Sequence, residues 1–518
     1  MYSTQRYLKD PKPATPVAST RLKGRPYLLY YLLAIILYAA VFTVWQVEPV
    51  PLEVHLLAIL LAATCLIPFF RWLARGQEEV PVFEIMALSY ALQFSMPVYT
   101  QPNLIRILDG EVVFAWDDIR TSLIYVELGM VVFIVAYYLT RNSRLLRSAP
   151  RLNLALDPQR RTSFIVGAIV IGSLFNVIQV LGLINTSGLL AIVSLIARQL
   201  NIGIILLSHD VYQTREPNLA MNRLLFGSIA LAFLLGLATG MLESAFIPLV
   251  LWLLVRWHLT KKLPLLWIVS GFALFLVLNP VKFDYRERVW FGRQTYSLVD
   301  RLSLWGELAA DRVIQIAEPE GGKTQNTIYD SLARFDLIHR FTHVHRITPT
   351  YLPYYGGETY EYFLYAWVPR LFWPGKPTAS LANNTMDVDY GLKYPGSSAT
   401  IGIGLLPEAY ANFGVWGILL VMSIQGMVIA VLDGTLNGPG SDGGRAIYLS
   451  VMVFLFNGIG SSASIWFGAL LQNVAANALI IWPFTKPLTD QSRYLRERPS
   501  QKRNVNRVNS GVRHRTKH

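Results

Sequence analysis

RPYLLYYLLAIILYAAVFTVW, residues 25–45, sets a basic residue against an apolar run that carries no charge from Tyr27 to Trp45. The hydrocarbon core of a bilayer is about 30 Å thick and takes roughly 20 helical residues to cross, so this run reads as a membrane span. Lys9, Lys12, Arg21, Lys23 and Arg25 precede it. Basic flanks stay on the cytoplasmic side of a span, which places residues 1–26 in the cytoplasm as a basic N-terminus. A polar leader running straight into a full-length span is also unlike a cleavable signal peptide.

The same pattern repeats along the chain. Hydrophobic residues make up 53% of the 518 and charged residues 15%, with a mean hydropathy of +0.38, which are values of a polytopic membrane protein. Further apolar runs lie at 54–70, 80–99, 120–139, 163–184, 188–208, 224–241, 245–257 and 264–281, then at 414–432 and twice within 447–484. The expected fold is all-α and polytopic, with about twelve membrane helices, nine within 27–281 and three within 404–484. Arg71 with Arg75, the basic loop from Arg141 to Arg161, and Lys261 with Lys262 then all face the cytoplasm. Residues 282–403 remain as one large extracytoplasmic loop, and 485–518 as a disordered basic tail in the cytoplasm, near anionic lipid.

A net charge of +13 would suggest nucleic acid in a soluble chain. Here the basic residues gather at the termini and in short loops, so the positive-inside pattern accounts for them and no nucleic-acid partner is expected. The single cysteine, Cys65, rules out an intrachain disulfide. No internal repeat is visible, which weakens the usual pointer to an inverted-repeat transporter.

Residues that could carry chemistry fall in three places. Arg198 stands inside an apolar run, where an arginine costs roughly 2.5 to 3.5 kcal/mol to insert; it either faces a polar cavity and holds an anion or pairs with a carboxylate on another helix. The first part of the large loop, KFDYRERVWFGRQ, offers Lys282, Arg286, Arg288 and Arg293, and its centre, LARFDLIHRFTHVHR, offers Arg334, Asp336, His339, Arg340, His343, His345 and Arg346. Guanidinium groups hold phosphate oxygens in pairs and stay charged, although ordinary headgroup contact explains such residues equally well. Three histidines and an aspartate invite a metal, yet no recognised ligand spacing is present, so no metal is expected.

The third place is the polar stretch from Glu361 to Gly417, too rich in Gly and Pro to cross a bilayer. It carries Arg370, Lys376 and Glu408, with Tyr355 and Tyr360 just before it and Trp367 and Trp373 within it. Aromatic residues here fit an interfacial belt or a sugar-stacking track. Asp387 and Asp389 form a DVD triplet that would suit nucleotide sugars, which an extracytoplasmic loop does not meet. Glu408 at the membrane rim fits a general base or a glutamate favoured by a helix N-terminus.

VPRLFWPGKP, residues 368–377, and GLLPEAYANFGVWG, residues 404–417, resemble the Wzy-type O-antigen and oligosaccharide repeat-unit polymerases, with support from Arg286 and from the ARFD and HVHR stretches. The resemblance covers the second half of the chain. It implies a GT-C-like architecture in the bacterial inner membrane with both termini cytoplasmic, and a metal-independent glycosyl transfer without a cofactor. The donor would be a glycan on undecaprenyl pyrophosphate, the acceptor a second lipid-linked repeat unit, and a regulator of chain length a further partner. Arg198, Arg286, Arg346, Arg370 and Lys376 would bind pyrophosphate or glycan; Glu408, Asp336 and His343 are the candidate bases; Tyr355, Tyr360, Trp367 and Trp373 would stack on sugar. One departure stands out: where an arginine is expected after the seventh span, this chain reads TGMLES, residues 239–244, so another cation has to serve there. An O-antigen ligase differs only in its acceptor, and a flippase for lipid-linked glycans would concentrate charge within its helices and not in one loop.

Overall fold

The computed structural model describes residues 27–486 apart from 78, 149–151, 153, 185, 215–217, 293, 295, 318–331, 367, 369–372, 374, 398–400 and 439. Trp367 and Arg370 lie outside the described residues, as do residues 1–26 and the tail beyond 486. The described chain is almost wholly helical, and 11 of its helices are long and apolar enough to cross a membrane. This is a multi-pass membrane protein. Its only strands among the described residues form the hairpin Leu104–Ile107 with Gly110–Val113.

The run at 80–99 is helical but irregular: Val82–Tyr90 is α-helical, Ala91–Ser95 is a π-helical turn, and Pro97–Thr100 closes it. Pro97 has no N–H to give and crowds the preceding turn. The Met96 N–H bonds Ala91 O at 3.1 Å, five residues back, and the ladder widens by one residue. The helices Trp116–Asn142 and Leu405–Leu436 pack along one another at the centre. Small residues permit this approach: a Cβ on Gly426 would stand 2.4 Å from Phe133 O. Leu405–Leu436 is itself broken at Phe413 and Gly414, whose φ values are −141° and +61°. The carbonyls freed by the break are taken up by the loop, since the Tyr355 N–H donates to Ala411 O at 3.0 Å and the Gly356 N–H to Asn412 O at 3.2 Å. The break is thus a fixed kink with satisfied backbone groups.

At one end of the bundle lie the basic residues of the short loops. Arg141 bridges Asp433 at 2.9 Å and Glu79 at 2.6 Å, and Arg161 pairs with Asp210 and Asp442. The opposite end carries the large loop, which is a packed helical layer. The ninth span, expected to end near 281, continues as Leu265–Trp290 and so carries Lys282 and Arg286 on a helix. The amphipathic helix Leu298–Ala317 lays Leu304, Trp305 and Leu308 on Leu237, Leu242 and Tyr285, and Trp305 Nε1 donates to Leu237 O at 2.7 Å. Ile338–Ile347, Glu358–Ala366 and Leu381–Asp389 complete the layer.

Candidate anion-binding site at the loop-bearing end

Two turns and one helix end shape the site. Helix Leu219–Ala238 stops at Thr239 and Gly240, and Leu242–Thr260 starts at once. Gly240 takes φ +76°, and a Cβ there would stand 3.0 Å from Tyr285, so the turn needs glycine for both conformation and space. Against it runs the end of Leu265–Trp290. Arg286 donates from Nε to Gly240 O at 2.9 Å and lies over the Trp290 ring at 4.6 Å. One turn earlier, Lys282 donates to Asn279 Oδ1 at 2.8 Å and is 5% exposed.

These cations line a cavity of about 770 Å³ together with Arg334 and Arg340. Arg340 is held from behind, donating to Ile401 O at 3.1 Å and Gly402 O at 2.8 Å. The ion pairs of the described residues lie elsewhere, and none of the four cations has a carboxylate within 4.0 Å among them. Four like charges around one cavity, with Glu243 the one carboxylate among its described lining residues and Lys282 almost fully buried, suit a multivalent anion such as a pyrophosphate.

A second cavity of about 490 Å³ adjoins the first and dips into the bundle. Arg198 lies here, at the break between Ser187–Ala197 and Gln199–Gln213. Asn176 Nδ2 covers the carbonyl of Ala197 at 2.9 Å. The Arg198 guanidinium donates to Asn473 Oδ1 at 2.7 Å and stacks over Phe454 at 4.6 Å; among the described residues no carboxylate pairs with it directly. Glu243, in the first turn after TGM, lines both cavities.

The other sequence candidates are distributed around this centre. Glu408 is 0% exposed; its Oε1 accepts from Thr359 Oγ1 at 2.8 Å and its Oε2 from the Ala463 N–H at 2.6 Å. The carboxylate thus holds the first N–H of Ala463–Ile481 beside the cavity wall at Gly460 and Ser461. Asp336 accepts from His339 Nδ1 at 2.8 Å and from the His339 N–H at 3.2 Å. His343 faces Tyr390 O at 2.8 Å and is 3% exposed; burial holds its pKa below the ordinary value, with the charge of Arg346 adding to the effect and the hydrogen bond to Tyr390 opposing it. His345 lies between Tyr125 and Tyr410. The three histidines therefore have separate partners, and the four-residue cluster read from the sequence is not gathered at one point.

Arg346 is exposed and donates to Val113 O at 3.2 Å on the hairpin. Lys376 Nζ donates to Val368 O at 2.8 Å. Tyr355 OH donates to Asp389 Oδ2 at 2.7 Å, burial and that carboxylate raising the phenol's pKa. Tyr360 stacks on Phe413 at 6.2 Å beside the kink, and Trp373 meets Tyr365 edge-on at 5.6 Å. Asp387 is fully buried and accepts from the Ile401 and Gly402 N–H groups at 3.1 and 3.4 Å, so it braces the segment whose carbonyls hold Arg340. Burial raises its carboxyl pKa, while those two N–H bonds lower it.

Of the residues singled out by the sequence as site members, the structure brings Arg286 and Arg198 to the two cavities. Lys282, Arg334 and Arg340 were visible only as members of charged stretches. Their convergence depends on two stretches, the end of Leu265–Trp290 and residues 333–347, meeting in space, and the signal in the sequence was their number. Glu243 gave no signal beyond its place in TGMLES.

A family described as a domain of unknown function (DUF8712) matches residues 127–463 of the chain. No curated protein and no solved structure matches it.

Proposed function

The chain belongs to that family of unknown function, and on the site described above we propose that it is a membrane glycosyltransferase that polymerises lipid-pyrophosphate-linked oligosaccharide repeat units. The observation that carries this reading is the cavity of about 770 Å³ lined by Lys282, Arg286, Arg334 and Arg340. A pyrophosphate on a polyprenyl chain needs cations at the membrane rim, with apolar helices beside them for its lipid. A glycosyl pyrophosphate is already an activated donor, so the protein's main task is to stabilise the charge that grows on the leaving oxygen as the anomeric bond breaks. Lys282, Arg286 and Arg340, held in place by the hydrogen bonds given above, supply that stabilisation before the substrate arrives, with Arg334 beside them. No cofactor enters this scheme.

The basic end of the bundle, with Arg141, Arg161 and Lys261, supports a cytoplasmic location for that end. The loop-bearing end would then face outward from the bacterial inner membrane, with both termini inside. The resemblance of residues 368–377 and 404–417 to repeat-unit polymerases supports the same assignment. A ligase shares the donor chemistry, and a transporter of the same lipid finds its own support in the cavity at Arg198, which enters the bundle.

The deciding experiment uses the purified full chain in lipid with a defined undecaprenyl-pyrophosphate-linked repeat unit and no added metal. A ladder of products spaced by one repeat unit is expected. Transfer only to a lipid A core glycan makes it a ligase; movement of labelled lipid across sealed vesicles without new glycosidic bonds makes it a transporter.

A further inference from the structure

We infer that Glu243 is the general base for the acceptor hydroxyl and that the cavity holding Arg198 is where the acceptor glycan enters. This rests on the polymerase reading above and adds to it a base and a second substrate position.

Among the described residues, Glu243 is the one carboxylate that lines either cavity, and it lines both. The two cavities differ in chemistry. The one at Arg286 is cationic; the one beneath Glu243 is walled by the amides Asn176, Gln179, Asn201, Asn473 and Asn477 around a single guanidinium. An amide offers both a donor and an acceptor and so matches a hydroxyl, which is both; Asn176, Gln179, Asn473 and Asn477 each spend part of that capacity on the protein, so their remaining lone pairs and Asn201 are what meet a ligand. A wall of this kind takes a polyhydroxylated, weakly charged ligand, whereas the cation cluster takes the pyrophosphate. A displacement at the anomeric carbon needs the leaving group and the nucleophile on opposite sides, with a proton acceptor beside the nucleophile. The boundary of the two cavities is the place that meets this condition, and Glu243 stands on it.

The step balances without another reactant. The acceptor hydroxyl oxygen forms a bond to the anomeric carbon as the bond from that carbon to the pyrophosphate oxygen breaks. The hydroxyl proton passes to the Glu243 carboxylate, and the electron pair leaves on the lipid pyrophosphate among Lys282, Arg286, Arg334 and Arg340. Deprotonation of Glu243 to solvent then resets the site. Glu408, which holds Thr359 Oγ1 and the Ala463 N–H, is a positioning residue for the wall.

The test compares wild type, Glu243→Gln, Glu243→Asp and Asn201→Leu in lipid, reading ladder formation and, separately, binding of undecaprenyl pyrophosphate without glycan. Glu243→Gln is expected to slow transfer by about 100-fold or more with lipid binding no weaker than in wild type, because the change removes a negative charge from the cation-lined cavity, and Glu243→Asp to recover part of the rate. Asn201→Leu is expected to raise KM for the acceptor and leave lipid binding intact. If Glu243→Gln turns over within threefold of wild type, or loses lipid binding in parallel with turnover, Glu243 is not the base. If Asn201→Leu leaves acceptor KM unchanged, the acceptor does not enter there. A wild type that forms no product overturns the polymerase reading and takes this assignment with it, so the two failures are told apart by the wild-type lane.

Discussion

Arg286 Nε donates to Gly240 O at 2.9 Å, and this single bond seats a guanidinium at the turn where the resemblance called for an arginine and the chain reads TGMLES. The side chain comes from a different helix, Leu265–Trp290. The cation is therefore present at the turn although its sequence position is not. Replacing Gly240 by alanine would strain a φ of +76° and bring Cβ to 3.0 Å from Tyr285. We expect this substitution to displace Arg286 and weaken undecaprenyl pyrophosphate binding, measured by titration in nanodiscs, without loss of membrane insertion.

The cation cluster predicts a contrast between charges inside and outside the cavity. Lys282→Ala and Arg286→Ala should each weaken undecaprenyl pyrophosphate binding by about ten- to a hundredfold, the range for a lost charge-assisted hydrogen bond. Arg346→Ala, on an exposed side chain bonded to Val113 O, should change it less than twofold. Equal losses for all three would mean that binding follows overall charge and not the cavity.

Glu408 separates a structural role from a chemical one. Alanine there leaves the Thr359 hydroxyl and the Ala463 N–H without their acceptor in a buried site and should cost about 3 kcal/mol in stability, read as a lowered Tm in detergent. Glutamine can keep both contacts, accepting from the Ala463 N–H and donating to Thr359 Oγ1, and should fold and turn over much as wild type does. A Glu408→Gln protein with normal Tm and turnover reduced a hundredfold would return Glu408 to the chemistry.

Acid should loosen the loop layer. Burial lowers the pKa of His343 and of His345, against opposing contributions from Tyr390 O and Asp118, from an ordinary value of 6.5. Below 6.5 the unfolded chain therefore binds more protons than the folded one, and the stability present above that value is lost as pH falls towards the lowered pKa values. Asp387, raised from 3.8 by burial, acts with the opposite sign in a more acid range, where stability falls as pH rises. Tm should drop on acidification below about pH 6.5, and His343→Gln should flatten part of that drop; an unchanged slope would exclude His343 as a contributor.

Close packing gives a test of the bundle itself. Gly426→Ala would press a methyl to 2.4 Å from Phe133 O and is expected to cost about 1–3 kcal/mol by overpacking. A variant with wild-type Tm would show that the two central helices are not in contact as described.

The membrane fold was legible because the requirement that produces it is local. A run such as Tyr27–Val44 must be apolar over its whole length to lie in hydrocarbon, and each such run can be read without knowledge of its neighbours. Interruptions were less legible. Pro97 removes a backbone N–H from the ladder wherever it falls in a helix, but the π-turn before it depends on how Ala91–Ser95 packs, and the kink at Phe413 and Gly414 is held by hydrogen bonds from Tyr355 and Gly356, far away in sequence.

The sequence by itself determined that this protein lies in a membrane through many helices, where its charged loop falls, and that Arg198 is costly enough to need a reason. Only the tertiary structure decided which charges meet. It placed Lys282, Arg286, Arg334 and Arg340 around one cavity, closed Glu408 into a helix terminus, and set Glu243 between two chambers. The physical reason is range: hydrophobicity acts residue by residue along the chain, whereas a binding site is made by side chains from distant segments whose distances only packing fixes.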